Sequence, residues 1–324
     1  MDKKRLAFFI FLILGMLFLA ACGPEHLGEV ELIDYGGQEA GTLEGQIIVD
    51  GSSTVFPIME AVTEEYMMYQ PSVRVSVGVS GTGGGFERFV SGETDMNNAS
   101  RAIEESEVLS LEEAGIEYTE LEIAYDGLSI AVNPENDWVD YLTVDELKQM
   151  WIEDGSVKKW SDIRPEWPDE EIKFYSPGAD SGTFDYFDEV ILEGDQIVKK
   201  ATLSEDDNVL VTGVNGDQYA IGYFGYAYYT ENKDKLKIVP IDGGNGPVEP
   251  TKETIIDGSY TPLSRSLFLY INNESLQKEE VNDFIKFLLH VVGDLSEEVG
   301  YVGLPEEKYA EQLEMIKKVL EKNE

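Results

Sequence analysis

The chain has 324 residues and a net charge of −40, with a single cysteine and two histidines. A surface this acidic repels nucleic acid and anionic lipid. One cysteine excludes an internal disulfide, and the length leaves room for two domains with a sizeable core.

Lys3, Lys4 and Arg5 are followed by an uncharged apolar run over 6–21. That run is short against the ~20 apolar residues of a membrane span, and its shape is that of a secretory signal peptide. It ends Leu19-Ala20-Ala21-Cys22, which resembles a bacterial lipobox and implies that Cys22 is acylated, becomes the first mature residue and holds the protein on the membrane. Residues 22–45, rich in Gly and Glu, read as a flexible tether from the lipid to the folded body.

From 46 onward, apolar runs alternate with amphipathic stretches. Strands are predicted over 47–49 and 73–79, and helices over 57–69 and 86–90, the second following a glycine run. One or two strands are expected over 123–132, broken at Asp126-Gly127. A helix over 144–151 takes Thr143 as its N-cap. A strand at 172–175 precedes a helix over 184–192. Strands at 236–241 and 266–271 follow, and amphipathic helices near 279–292 and 306–322 close the chain. The alternation predicts an α/β protein.

Three segments carry the chemistry: Asp50-Gly51-Ser52-Ser53-Thr54-Val55-Phe56-Pro57, Ser80-Gly81-Thr82-Gly83-Gly84-Gly85-Phe86 and Ser181-Gly182-Thr183-Phe184. Each places Gly, Ser and Thr between a strand and a helix start. A helix start offers unpaired N–H groups and the positive end of its dipole. Glycine lets the backbone approach a ligand, and hydroxyls add donors. Together these are anion sites. None of the three is a nucleotide P-loop, since no Gly-Lys-Ser/Thr follows.

With Asp95-Met96-Asn97-Asn98-Ala99-Ser100-Arg101, the stretch Asp126 to Pro134 and the stretch Pro177 to Phe187, these motifs resemble the PstS family, the phosphate-binding proteins of ABC importers, over about 46–322. The resemblance implies a type II periplasmic-binding-protein-like α/β fold. Its two lobes (46–127 plus 262–324, and 128–261) are joined by a two-stranded hinge, with a ligand cleft between them. It implies a monomer that captures inorganic phosphate and passes it to ABC importer permease subunits, without cofactor, metal or enzymatic activity. Carried over by motif, Ser53, Thr54, Val55, Ser80, Thr82, Ser181, Gly182 and Thr183 donate to phosphate.

Pro177 stands where many relatives have arginine, so Arg101 is expected to supply the cation. Asp126 is expected to accept the proton of phosphate, with Asp180 second. Arg265 reads as a structural ion pair rather than a hinge-side ligand. The same fold could take sulfate or molybdate, or serve as a sensing or adhesion lipoprotein. A secreted hydrolase fits poorly: His26 lies in the tether, His290 lies on a late helix, and no Gly-x-Ser-x-Gly elbow occurs. Two distant histidines do not make a zinc site.

Overall fold

The computed structural model describes residues 34–179 and 181–323. The signal-like run, Cys22, His26 and Asp180 lie outside the described residues.

In chain order the elements begin β1 (Glu44–Gly51), α1 (Phe56–Tyr69), β2 (Ser72–Val77), α2 (Gly81–Val90), β3 (Met96–Ala99), α3 (Glu105–Ala114) and β4 (Tyr118–Val132). They continue with β5 (Leu142–Thr143), α4 (Val144–Trp151), α5 (Trp160–Ile163), β6 (Lys173–Pro177) and α6 (Gly182–Phe187), the last running into a π-helical turn over Asp188–Leu192. Next come β7 (Thr202–Ser204), α7 (Asp207–Gly216), β8 (Ala220–Gly225), α8 (Tyr226–Glu231), β9 (Lys237–Ile238), β10 (Ile241–Asp242), β11 (Pro247–Val248) and α9 (Lys252–Ile256). β12 (Ser264–Asn272), α10 (Glu279–Glu298), β13 (Val302–Gly303) and α11 (Glu306–Asn323) complete the chain.

The main sheet runs β2-β1-β3-β12-β4-β8-β6-β7, with β9 and β13 also on β4. Its outer strands form two parallel sets, β2-β1-β3 and β8-β6-β7. Between them lies the antiparallel pair β12 and β4. In parallel sheets, ligands gather outside the carboxyl ends of the strands. The loops after β1, β2, β3 and β6 are the ones that carry the Gly/Ser/Thr motifs and Ser100-Arg101.

β4 is unbroken at Asp126-Gly127, contrary to expectation. Its first part pairs with β12 up to Gly127, and from Leu128 it pairs with β8. Ladder bonds on both sides of the exchange keep the strand continuous. Glycine serves there for room, because a Cβ on Gly127 would come within 2.6 Å of the Ile255 side chain.

Other expectations also shift. The glycine run 83–85 lies inside α2, which starts at Gly81. The strand expected over 236–241 is two short strands, β9 and β10, with Val239 and Pro240 between them. α10 extends six residues past its expected end, to Glu298. The tether is shorter than its composition suggests. Tyr35 and Leu43 are buried, the Tyr35 hydroxyl and the Gln38 N–H donate to Asp283, and the Leu43 N–H donates to Gln70.

The core follows the same plan. Near β1, the Tyr66 ring packs edge-on against Phe284 and its hydroxyl donates to Asp283, clamping α1 to α10. Near β8, Phe187 stacks on Tyr223 at 4.0 Å and Trp151 closes on both. Burying such rings contributes ~1.5–3 kcal/mol each before the entropy of ordering is counted. This aromatic block fixes the position of α6, and with it the third motif.

Candidate anion site between the glycine-rich helix starts

Loop 52–55 rises from Gly51, whose φ of +136° favours glycine. Under it lies Asn97 of β3. A Cβ on Gly51 would come within 2.7 Å of Asn97 Oδ1, and one on Gly85 within 2.0 Å. Buried Asn97 therefore sets how closely the first two motifs approach each other.

The third motif arrives on α6. Ser181 caps it by accepting the Thr183 N–H at 3.2 Å. Gly182 lies directly on the first loop: a Cβ there would be 2.8 Å from Thr54 Cα. Ser53 donates to Asp185 Oδ2 at 2.5 Å across the same contact. The Thr54 carbonyl accepts from the Tyr301 hydroxyl at 2.7 Å.

These contacts enclose a cavity of about 210 Å³ lined by Ser53, Thr54, Thr82, Arg101, Asp185 and Glu189, together with Ser52, Gly81 and Ser100. That volume suits a small tetraoxyanion and is below the ~300–1,000 Å³ of drug-sized pockets.

Two arginines lie at the site, Arg101 in the cavity lining and Arg265 behind the lining residues Thr54 and Glu189. The Arg101 guanidinium makes a forked pair with Glu107 at 2.8 Å on both nitrogens. The Glu107 bond is the main influence holding Arg101 above its ordinary range. Arg265 is nearly buried, forms ion pairs as expected, and through them and Thr54 is tied to two residues that line the cavity. On β12 it stands directly opposite Asp126 of β4. Its Nε reaches Asp126 Oδ2 at 3.4 Å, its Nη1 donates to Glu189 at 2.7 Å, and its Nη2 donates to Thr54 Oγ1 at 3.0 Å. The guanidinium lies 3.6 Å over the Tyr186 ring. Burial pushes the Asp126 carboxyl above its ordinary range, and the Arg265 charge only partly offsets this.

Not every expected donor reaches the cavity. The Ser80 hydroxyl donates to Asp50 at 2.7 Å, because that buried carboxylate collects Ser80, the Gly51 N–H and Arg88 beneath the loop. The Val55 side chain is buried in the core, leaving only its backbone to serve a ligand. Thr183 and Asp126 line a separate cavity of about 250 Å³, and Ser181 and Gly182 line neither. Thr82 does reach the site, and its hydroxyl is shared with Ser100. Asp185 and Glu189 were not foreseen, since acidic residues on an amphipathic helix read as an ordinary solvated face. Among the described residues, no group of three or more His, Cys, Asp or Glu side chains is placed to hold a metal.

Residues 36–291 match the family model described as a PBP superfamily domain. The phosphate-binding protein PstS of Staphylococcus saprophyticus is 44% identical over 95% of this chain and 92% of its own length. A crystal structure of a possible phosphate binding protein from Planctomyces limnophilus is 45% identical, with a TM-score of 0.83, covering 86% of this chain and all of that one. PstS from Borrelia burgdorferi, 22% identical with a TM-score of 0.61 over 81% of this chain and all of that one, shares the fold. With 44% identity to a PstS protein along nearly its whole length, and a superfamily model matched over most of it, the chain belongs to the PstS family of the PBP superfamily.

Proposed function

We propose that this protein captures inorganic phosphate outside the cytoplasmic membrane and delivers it to the permease subunits of an ABC importer. The observation that carries the reading is the meeting of loop 52–55 and the start of α2 around one 210 Å³ cavity that Arg101 lines, with the α6 start packed against loop 52–55 and Arg265 bonded to the lining residues Thr54 and Glu189. Three glycine-rich N-termini supply the hydrogen bonds and partial charges that replace the water of an anion.

In this reading Ser53, Thr54 and the Val55 backbone donate from one side. Thr82 donates from α2, and Ser181, Gly182 and Thr183, which lie outside the cavity lining here, are brought to the anion from α6 when the lobes move. Arg101 and Arg265 supply positive charge. Asp126 accepts the proton that phosphate carries and fully ionised sulfate lacks, which separates the two anions. Segments 46–127 plus 262–324 and 128–261 act as two lobes hinged where β4 exchanges partners and where the chain re-enters β12. Opening there admits the anion, and closure surrounds it. Cys22 carries the lipid that keeps the protein at the membrane surface, and Cys22→Ser protein that stays with membranes would contradict that part.

Analysis of the anion released on denaturing protein prepared without added phosphate tests the reading. Phosphate in about equal amount to protein supports it. Sulfate or molybdate in its place would overturn it.

A further inference from the structure

The cavity is a poor anion site in one respect. Of its lining residues, Asp185 and Glu189 are carboxylates, and both engage groups that would serve a ligand. Glu189 takes the Arg265 Nη1 at 2.7 Å, from the guanidinium whose Nη2 holds Thr54. Asp185 takes the Ser53 hydroxyl at 2.5 Å. Glu189 also lines the same cavity as Arg101.

The remaining charges do not relieve this. Asp126 faces Arg265 from β4, while Glu104 and Glu107 hold Arg101. Four carboxylates thus pair with two guanidinium groups, and a fifth, Asp185, lines the cavity beside them. A phosphate entering beside Glu189 would bring one or two further negative charges to the same nitrogens. Its side chain is 56% exposed, so it has room to swing to solvent. Asp126, nearly fully buried, does not.

We propose that Glu189, seconded by Asp185, is a built-in anionic occupant of the phosphate site that competes with the ligand for Arg265 and Ser53 and sets the affinity below what the donors alone would give. The inference rests on the phosphate reading above. Without ligand the carboxylate neutralises Arg265 and joins the α6 side of the cleft to β12. With ligand it yields its place. The cost of moving it is subtracted from every binding event, which keeps the captured anion releasable.

Calorimetric titration of inorganic phosphate into wild type, Glu189→Gln, Asp185→Asn and a control, Glu321→Gln at an exposed site near the end of α11, tests this. Every variant removes one negative charge, so a local effect separates from the field of a very acidic chain. Glu189→Gln is expected to bind about tenfold more tightly, from removing one like charge within contact range of the ligand. Asp185→Asn is expected to gain several-fold, and Glu321→Gln to match wild type. Glu189→Ser, which leaves a small polar group, repeats the measurement should glutamine pack badly. Wild-type affinity or weaker binding in both Glu189 variants would overturn the inference, as would an equal gain in Glu321→Gln. Wild type that binds no phosphate would instead overturn the reading beneath it.

Discussion

Gly182 and Thr54 touch backbone to backbone: a Cβ on Gly182 would sit 2.8 Å from Thr54 Cα. The two residues belong to different motifs, 128 positions apart in sequence, and their contact seats α6 against a loop that lines the anion cavity. No flexible side chain stands between them to give way.

Gly182→Ala therefore holds α6 off the first loop. Overpacking of this kind costs ~1–3 kcal/mol, and here it opposes closure on the ligand more than folding. The expected result is phosphate affinity lowered by about tenfold or more with a melting temperature near wild type. Unchanged affinity by calorimetry would mean that the contact is not kept in the bound protein.

The two arginines should separate in a paired experiment. Arg265 is nearly buried and tied to Asp126, Glu189, Thr54 and the Tyr186 ring. Arg265→Ala leaves Asp126 buried and unpaired, so both affinity and stability should fall, each on the order of 3 kcal/mol. Arg101 is about one-third exposed, and its pairs with Glu104 and Glu107 are peripheral. Arg101→Ala should weaken phosphate by about tenfold with little change in unfolding, as for a partly exposed charge. Titrations alongside thermal melts check both, and the reverse ranking would contradict this account of Arg265.

Asp126 bears on selectivity. Burial holds its carboxyl above the ordinary range, so it shares a proton readily with a phosphate hydroxyl. Asp126→Asn replaces an acceptor with a group that also donates, and a donor favours sulfate oxygen. Sulfate should then compete with phosphate to within about tenfold. Competition calorimetry on the variant reads this directly, and undiminished rejection of sulfate would place the acidic acceptor elsewhere.

The same sheet carries an acid-sensitive pin remote from the ligand. Asp95 leads into β3 and accepts from the Ile48 N–H at 2.8 Å, the Ser275 hydroxyl at 2.6 Å and Lys278 Nζ at 2.7 Å. Burial works to raise its pKa, but Lys278 and the two other donors outweigh it, so the net direction is down. A depressed folded pKa stabilises the native state above the unfolded value of about 3.9, and this contribution is lost as pH falls through the folded value. Asp95→Asn should therefore be less stable than wild type at pH 7 and approach it in acid. Urea unfolding at pH 7 and near pH 3 measures the gap, and a gap that widens in acid would contradict the assignment.

The parts legible in the sequence share a physical cause. A short apolar run followed by Gly, Ser and Thr and then a helical period is a local signal, and it located the starts of α1 and α6 to within two residues, whereas α2 begins five residues before its expected start. The Thr143 cap and the closing helices were legible for the same reason. The Arg265–Asp126 pair was not, because residues 139 positions apart meet only through the register of β12 on β4. β3 was missed because Met96-Asn97-Asn98-Ala99 has no apolar alternation, although all four residues are buried. The glycine run was read as preceding a helix on propensity. Its place inside α2 is set instead by Asn97, which leaves no room for a side chain at Gly85.

The most direct test of the central claim is calorimetric titration of inorganic phosphate into protein stripped of bound anion by unfolding and refolding, with and without a large excess of sulfate. The account predicts one phosphate per chain, with an affinity that excess sulfate leaves essentially unchanged. No phosphate binding, or equal displacement by sulfate, would contradict it.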